Sequence, residues 1–180
     1  MFNLPNSLTF ARIILIFPFA WLFFYGSIGA RWCALVLFLI AAATDWFDGY
    51  LARRLGQGSA LGRMLDPIAD KLLVATALIA LIATGGITGW SILAALSIIL
   101  REIAVSGFRE HLGQHGIVVP VGGMAKWKTA VQLVALGFLL APAEPVQPWG
   151  LGLLWVAALL TLVTGWGYLR ATVRSHGPQV

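Results

Sequence analysis

Charged residues and cysteine are scarce in this sequence. Only 11% of its 180 residues are charged, against about 25% in a typical soluble domain, whereas 59% are hydrophobic and the mean hydropathy is +0.88. This composition excludes a disordered chain and an ordinary soluble globular domain. The single cysteine, Cys33, excludes an internal disulfide and thus a disulfide-stabilised scaffold. We therefore expect an integral membrane protein with one domain that covers residues 1–180.

Six apolar segments account for most of the chain. Each is near the length of about 20 residues that a membrane-spanning helix needs, and turns rich in glycine or proline separate them. The pattern predicts an all-α, polytopic protein with six transmembrane helices near residues 7–28, 31–55, 61–84, 90–111, 120–140 and 149–170.

The basic residues are divided unequally between the two ends of these predicted helices. Of the 12 lysines and arginines, Arg31 alone falls on one side and the other eleven fall on the opposite side. Lysine and arginine accumulate on the cytoplasmic side of membrane proteins, so both termini are predicted to be cytoplasmic. The net charge of +5 is explained by this topology, and no nucleic acid partner is expected.

Three of the segments are free of charge over only part of their length, at residues 32–44, 72–83 and 129–141. Thirteen helical residues cover about 20 Å, which is less than the hydrocarbon core of about 30 Å. The charged halves of these helices must then lie partly at membrane depth, where charges face a bundle interior or a wet cavity. We expect a polar cavity that opens to the cytoplasm.

All four aspartates of the chain lie within 26 residues. Asp45 and Asp48 have the spacing i, i+3, and Asp66 and Asp70 the spacing i, i+4, so each pair lies on one helix face. A helical hairpin would bring the pairs together, where four carboxylates repel one another unless a cation is bound. Ligands that are all oxygen suit Mg²⁺, Mn²⁺ or Ca²⁺ rather than zinc, and two such ions can clamp phosphoryl oxygens. Buried ion pairs with Arg53, Arg54 and Arg63 are the alternative.

The pattern Asp45-x2-Asp48-Gly49-x2-Ala52-Arg53-x8-Gly62-x3-Asp66-x3-Asp70 resembles, position for position, the signature of the CDP-alcohol phosphatidyltransferase family. The resemblance implies a six-helix membrane enzyme, a homodimer with two Mg²⁺ or Mn²⁺ ions per active site. Such an enzyme displaces CMP from a CDP-linked lipid with an alcohol. It also implies that Asp45, Asp48 and Asp66 are metal ligands and that Asp70 is both a ligand and the catalytic base.

A further group of residues is expected at the lipid nucleotide. The resemblance implies that Gly49, Arg53 and Ser59 contact the CDP moiety. Gly62, like Gly49, lacks a side chain, so a nucleotide could approach the backbone there, although simple helix packing is an alternative for both glycines. Near the N-terminus, Asn6 and Thr9 either contact the nucleotide of CDP-diacylglycerol or cap the first helix.

Three more segments, at residues 3–12, 101–110 and 126–132, resemble those of phosphatidylglycerophosphate synthases within the same family. Two of them place basic residues at the cytoplasmic ends of the fourth and fifth helices. A phosphate-bearing acceptor such as sn-glycerol 3-phosphate needs a cationic pocket, although these residues could also act only as topology signals. The expected glycerol-phosphate-binding set is Arg101, Arg109, Lys126 and Lys128.

The expected reaction is the transfer of a phosphatidyl group from CDP-diacylglycerol to glycerol 3-phosphate, which yields phosphatidylglycerophosphate and CMP. One alternative is the same chemistry on inositol phosphate, serine or phosphatidylglycerol. Another is a divalent-cation transporter that uses the aspartates as an ion site. A transporter needs a polar path to the far side of the membrane, and every strongly polar group is predicted in the cytoplasmic half.

Overall fold

The computed structural model of the protein describes residues 4–55, 60–114 and 123–175, with side chains at 7–44, 62, 64–110, 112–113, 123–124 and 126–166. Within these residues the chain forms six α-helices, one 3₁₀ turn at Glu144–Val146 and no strand. The predicted all-α class is confirmed, and each predicted segment coincides with a helix to within five residues at either end. The helices are α1 (Leu4–Tyr25), α2 (Ile28–Leu55), α3 (Ala60–Ala83), α4 (Ser91–Gln114), α5 (Gly123–Leu140) and α6 (Gln147–Ser175).

Glycine ends two of the helices, where the chain must reverse its direction. Gly26 follows α1 with φ of 80°, and Gly85 follows α3 with φ of 78°. This left-handed conformation costs glycine little because it has no Cβ atom, and it is the usual way in which a helix terminates. After Gly26, the backbone N–H of Ala30 donates a 3.2 Å hydrogen bond to Oγ of Ser27, which caps the start of α2.

The core is formed by apolar side chains from all six helices. Phe19 of α1 lies between Phe23 and Phe38, with ring centroids 6.2 and 6.0 Å apart. Helix α1 packs against α2 and α3, and α6 packs against α4 and α5, while α2 and α3 also contact α5. The α5–α6 contact is close, since a Cβ atom on Gly150 would lie 2.8 Å from Cγ of Leu139.

The outer surface of the bundle is also apolar. On α1, for example, Phe17 and Trp21 are 74% and 75% exposed. A soluble protein rarely exposes large contiguous apolar patches, whereas lipid tails solvate such side chains well. Three helical stretches in the described part of the chain are long and apolar enough to cross a bilayer, Ser7–Tyr25, Ser91–Glu110 and Glu144–Trp166, and a shorter apolar stretch runs over Ile28–Thr44. An integral membrane protein follows, while the count of six spans stays a prediction.

Candidate active site

Polar side chains from five helices meet at one end of the bundle. They come from the first halves of α1, α3 and α5, from the middle and second half of α4 and from the second half of α6. Because successive helices run in opposite directions, these halves share one end. The C-terminal part of α2, which carries Asp45 and Asp48, and the N-terminal part of α3 adjoin through the short link at residues 56–59.

Thr9 of α1 contacts the aspartate motif directly. Its hydroxyl donates a 2.5 Å hydrogen bond to Oδ1 of Asp66, and Thr9 is only 1% exposed. Since α1 begins at Leu4, Thr9 lies inside the helix and does not cap it. Asn6 lies in the first turn of α1, and its side chain is outside the described residues. The hydrogen bond from Thr9 fixes the orientation of the Asp66 carboxylate.

The charged residues of α3 are spread around one side of that helix. Asp66 faces α1 through Thr9, whereas Lys71 faces α4, where its Nζ donates a 2.5 Å hydrogen bond to Oγ of Ser106. At about 100° per residue, Asp66 and Lys71 are about 140° apart around the helix, and Asp70 lies on the arc between them. Asp70 is half-buried, and its position on α3 lies between the side facing α1 and the side facing α4.

The predicted donor set fits a hard divalent cation by its chemistry, because all four motif ligands are carboxylates. Asp66 and Asp70 have described side chains, and those of Asp45, Asp48 and Arg53 lie outside the described residues, as do the surroundings of Gly49 and the whole of Ser59. Among the side chains that the structure describes, no group of three or more metal-binding residues is found. Gly62 is buried within the first turn of α3.

A second cluster gathers around Glu102 of α4. The Oε1 atom of Glu102 pairs with Nη1 of Arg101 at 3.2 Å and with Nζ of Lys128 from α5, and the three side chains are 17%, 10% and 6% exposed. Nη2 of Arg101 donates a 2.9 Å hydrogen bond to Oγ1 of Thr164 on α6. The next residue of α6, Gly165, makes room for Arg101, because a Cβ atom there would lie 3.0 Å from Cγ of Arg101.

The structure thus brings together two of the four cations expected to bind the acceptor. Arg101 and Lys128 converge on Glu102, whereas Arg109 and Lys126 are exposed and form none of these ion pairs.

Several residues at this end of the bundle were not among the predicted site residues. Lys71 contacts Ser106, Glu102 contacts Lys128, and Thr164 contacts Arg101. Arg12 of α1 is 1% exposed and lies one turn after Thr9 on the same face. Arg12 could have been identified because it is an arginine in an otherwise apolar segment. Lys71 could have been identified because it directly follows the last motif aspartate.

The chain is similar to known proteins over almost its whole length. A family model described as CDP-alcohol phosphatidyltransferase matches residues 2–163. The CDP-diacylglycerol–glycerol-3-phosphate 3-phosphatidyltransferase of Escherichia coli K12 is 42% identical over 173 residues, which cover 94% of each chain. The enzyme of the same name from Cereibacter sphaeroides is 38% identical and covers 93% of this chain and 94% of its own.

The fold has also been seen in a solved structure. The phosphatidylinositol phosphate synthase of Mycobacterium tuberculosis, in its apo form, superposes with a TM-score of 0.66 over 94% of this chain and 88% of its own length. At 20% sequence identity this likeness concerns the fold alone.

Proposed function

The chain belongs to the CDP-alcohol phosphatidyltransferase family, and we propose from this premise that it transfers the phosphatidyl group of CDP-diacylglycerol to sn-glycerol 3-phosphate. The products are phosphatidylglycerophosphate and CMP. The observation that carries this proposal is the likeness, at about 40% identity over almost the whole chain, to enzymes named for this reaction. The aspartate motif at the adjoining ends of α2 and α3 agrees with this reaction, because its carboxylates can hold divalent ions that bind phosphoryl oxygens.

The four motif aspartates would hold two Mg²⁺ or Mn²⁺ ions. Bound divalent ions neutralise phosphoryl oxygens and so make a phosphate-linked group easier to displace. In support, the Mycobacterium protein of the same fold has been solved in complex with manganese. Within this chain, Thr9 would keep the Asp66 carboxylate in one orientation, because its hydroxyl donates to Oδ1 of that group. The ligand set is Asp45, Asp48, Asp66 and Asp70.

Asp70 would act as the general base. It accepts the proton of the acceptor's 1-hydroxyl as that oxygen attacks the β-phosphorus of CDP-diacylglycerol. The new phosphate ester forms while the bond from the β-phosphorus to the bridging oxygen breaks, and CMP leaves with that oxygen. A positioned base contributes about 10²- to 10⁴-fold to rate. Around α3, Asp70 lies between Asp66 and Lys71. This position suits a group that contacts both substrates.

The lipid nucleotide and the acceptor would occupy different sides of α3. We assign CDP-diacylglycerol to the side nearest α1 and α2, with contacts from Asn6, Thr9, Gly49, Arg53, Ser59 and Gly62. We assign the phosphate of the acceptor to the basic side nearest α4 and α5, with Arg101, Arg109, Lys126 and Lys128. Guanidinium and ammonium groups form charge-assisted hydrogen bonds with phosphate oxygens, the strongest class of hydrogen bond in proteins.

The cellular setting follows from the charge distribution. With eleven of the 12 basic residues on one side, the positive-inside rule favours cytoplasmic termini and a cytoplasmic active site in the bacterial inner membrane. CDP-diacylglycerol would then enter from the inner leaflet and glycerol 3-phosphate from the cytoplasm. We also propose a homodimer, which the family resemblance implies.

The aspartate site is tested by measuring CMP release from CDP-diacylglycerol and glycerol 3-phosphate. Asp66→Asn removes one ligand charge, so we expect turnover to be abolished while the protein stays folded in the membrane. Chelation of divalent ions should abolish wild-type turnover as well, and added Mg²⁺ or Mn²⁺ should restore it. Glu144→Gln is a matched control, because Glu144 is an exposed acid at the opposite end of the bundle. Wild-type turnover that survives exhaustive chelation would remove the metal from the mechanism.

A further inference from the structure

Lys71 is a cation of the site that no motif assigns. It directly follows Asp70 on α3, and its Nζ donates a 2.5 Å hydrogen bond to Oγ of Ser106 on α4. Glu102 lies one turn before Ser106 on the same face of α4. Lys71 therefore links the aspartate motif to the basic cluster around Glu102.

The bond to Ser106 does not use the full capacity of the ammonium group. An ammonium carries three N–H donors, and among the described side chains Ser106 is the one hydrogen-bond partner of Lys71. Lys71 is partly exposed, so the protein does not fully enclose its ammonium group. Lys71 can thus hold Ser106 and still present donors to a ligand.

The charges around Lys71 do not balance. Arg101 and Lys128 share the single carboxylate of Glu102, and Lys71 lies beside them at Ser106, next to Asp70 in the chain. The negative charge of Asp70 is shared with the metal ions in the proposed mechanism. The cluster therefore carries a surplus of positive charge that a phosphate monoester, with about −1.5 to −2 charges at neutral pH, would neutralise.

We propose that Lys71 determines the acceptor specificity of the enzyme by binding the phosphate of glycerol 3-phosphate. This inference rests on the proposed function. Lys71 and Asp70 are consecutive residues, about 100° apart on α3. Lys71 holds one end of the three-carbon acceptor by its phosphate, and Asp70 then faces the hydroxyl at the other end. Ser106 keeps the ammonium group on the α4 side, away from the metal ligands.

The test separates the charge of Lys71 from its role as a link between two helices. Lys71→Gln keeps a side-chain N–H donor but removes the charge. We expect the KM for glycerol 3-phosphate to rise about 10- to 150-fold, the effect of losing one charge-assisted contact. The KM for CDP-diacylglycerol should stay unchanged. Lys71→Arg keeps the charge and should restore most of the acceptor affinity.

Two controls complete the design. Arg31→Gln removes a cation that lies over Phe23, 5.3 Å from its ring centroid, at the opposite end of the bundle, and should leave both KM values unchanged. Ser106→Ala removes the link to α4 but keeps the charge, so its effect on acceptor KM should stay below about tenfold. The comparison variant is Ser97→Ala, because Ser97 also lies on α4 and donates only to Leu93 of its own helix.

Three outcomes overturn the inference. An unchanged acceptor KM in Lys71→Gln would show that the charge is not used. Equal losses in Ser106→Ala and Lys71→Gln, spread over both substrates, would reduce Lys71 to a structural link, as would a failure of Lys71→Arg to restore affinity. The proposed function fails separately and visibly, because wild-type protein would then release no CMP with glycerol 3-phosphate.

Discussion

At the scale of single residues, the hydrogen bond between Thr9 and Asp66 connects helices that are far apart in sequence. The two residues are 57 positions apart, and Thr9 would be an unremarkable helix residue if it did not meet the motif. A hydrogen bond to a charged group contributes about 1.5–3 kcal/mol. Here the hydrogen bond holds the Asp66 carboxylate, a proposed metal ligand, in a single orientation.

Removing that hydroxyl should weaken catalysis without unfolding the protein. We expect Thr9→Val to lower kcat/KM about 10- to 150-fold and to raise the metal concentration needed for half-maximal activity, because Asp66 is no longer held. Thr9→Ser keeps the hydroxyl and should stay near wild type. Thr84→Val is the control, since the Thr84 hydroxyl donates to the Ala80 carbonyl of its own helix at 2.8 Å. Equal activity and equal metal dependence in Thr9→Val and wild type would contradict this role.

The residues that sequence reasoning could and could not identify differ in a physical way. Asp66 and Asp70 could be proposed as ligands from the sequence because ligands on one helix face obey a fixed local spacing. Lys71, Glu102 and Thr164 owe their roles to partners 35, 26 and 63 positions away. No local pattern encodes such pairings, so they become visible only in the folded chain.

At the scale of elements, α6 takes part in the site although its sequence reads as a generic apolar helix. Thr164 accepts a hydrogen bond from Arg101, and Gly165 leaves the space that the Arg101 side chain fills. Sequence reasoning predicted the helix and assigned it no chemistry. In the structure, α6 positions Arg101, a cation that we assign to the acceptor.

A larger residue at Gly165 should displace Arg101. We expect Gly165→Leu to raise the KM for glycerol 3-phosphate about tenfold, equivalent to about 1.4 kcal/mol, and to leave the KM for CDP-diacylglycerol unchanged. Gly152→Leu is the matched control, because Gly152 is an exposed α6 glycine with no atom within 4 Å of an added Cβ. If both variants behave like wild type, Arg101 does not depend on α6.

The helices themselves were predictable to within a few residues, and their packing was not. Apolar segments of the right length, bounded by glycine and proline, fix where helices begin and end. A helix that is apolar all round gives no sign of which face is buried. The observed contacts, such as those of α6 with α4 and α5, therefore could not be derived from the pattern of the sequence.

At the scale of the whole molecule, chemistry is concentrated at one end of an apolar bundle. The contacts Thr9–Asp66, Lys71–Ser106 and Glu102–Lys128 all lie at this end. Eleven of the 12 basic residues were assigned to the same side from sequence. An enzyme that joins a membrane lipid to a water-soluble, anionic acceptor requires such a polar end. The four aspartates and the basic cluster lie on neighbouring helices there, and in the proposed mechanism both reactants meet at Asp70.

The central claim is that this end of the bundle transfers a phosphatidyl group to glycerol 3-phosphate. The most direct measurement is CMP release by the purified protein with CDP-diacylglycerol, Mg²⁺ or Mn²⁺ and one alcohol at a time, from glycerol 3-phosphate, inositol phosphate, serine and phosphatidylglycerol. We expect glycerol 3-phosphate alone to support rapid CMP release, with formation of phosphatidylglycerophosphate in equal amount. Preferential turnover of another alcohol, or no CMP release with any of them, would contradict it.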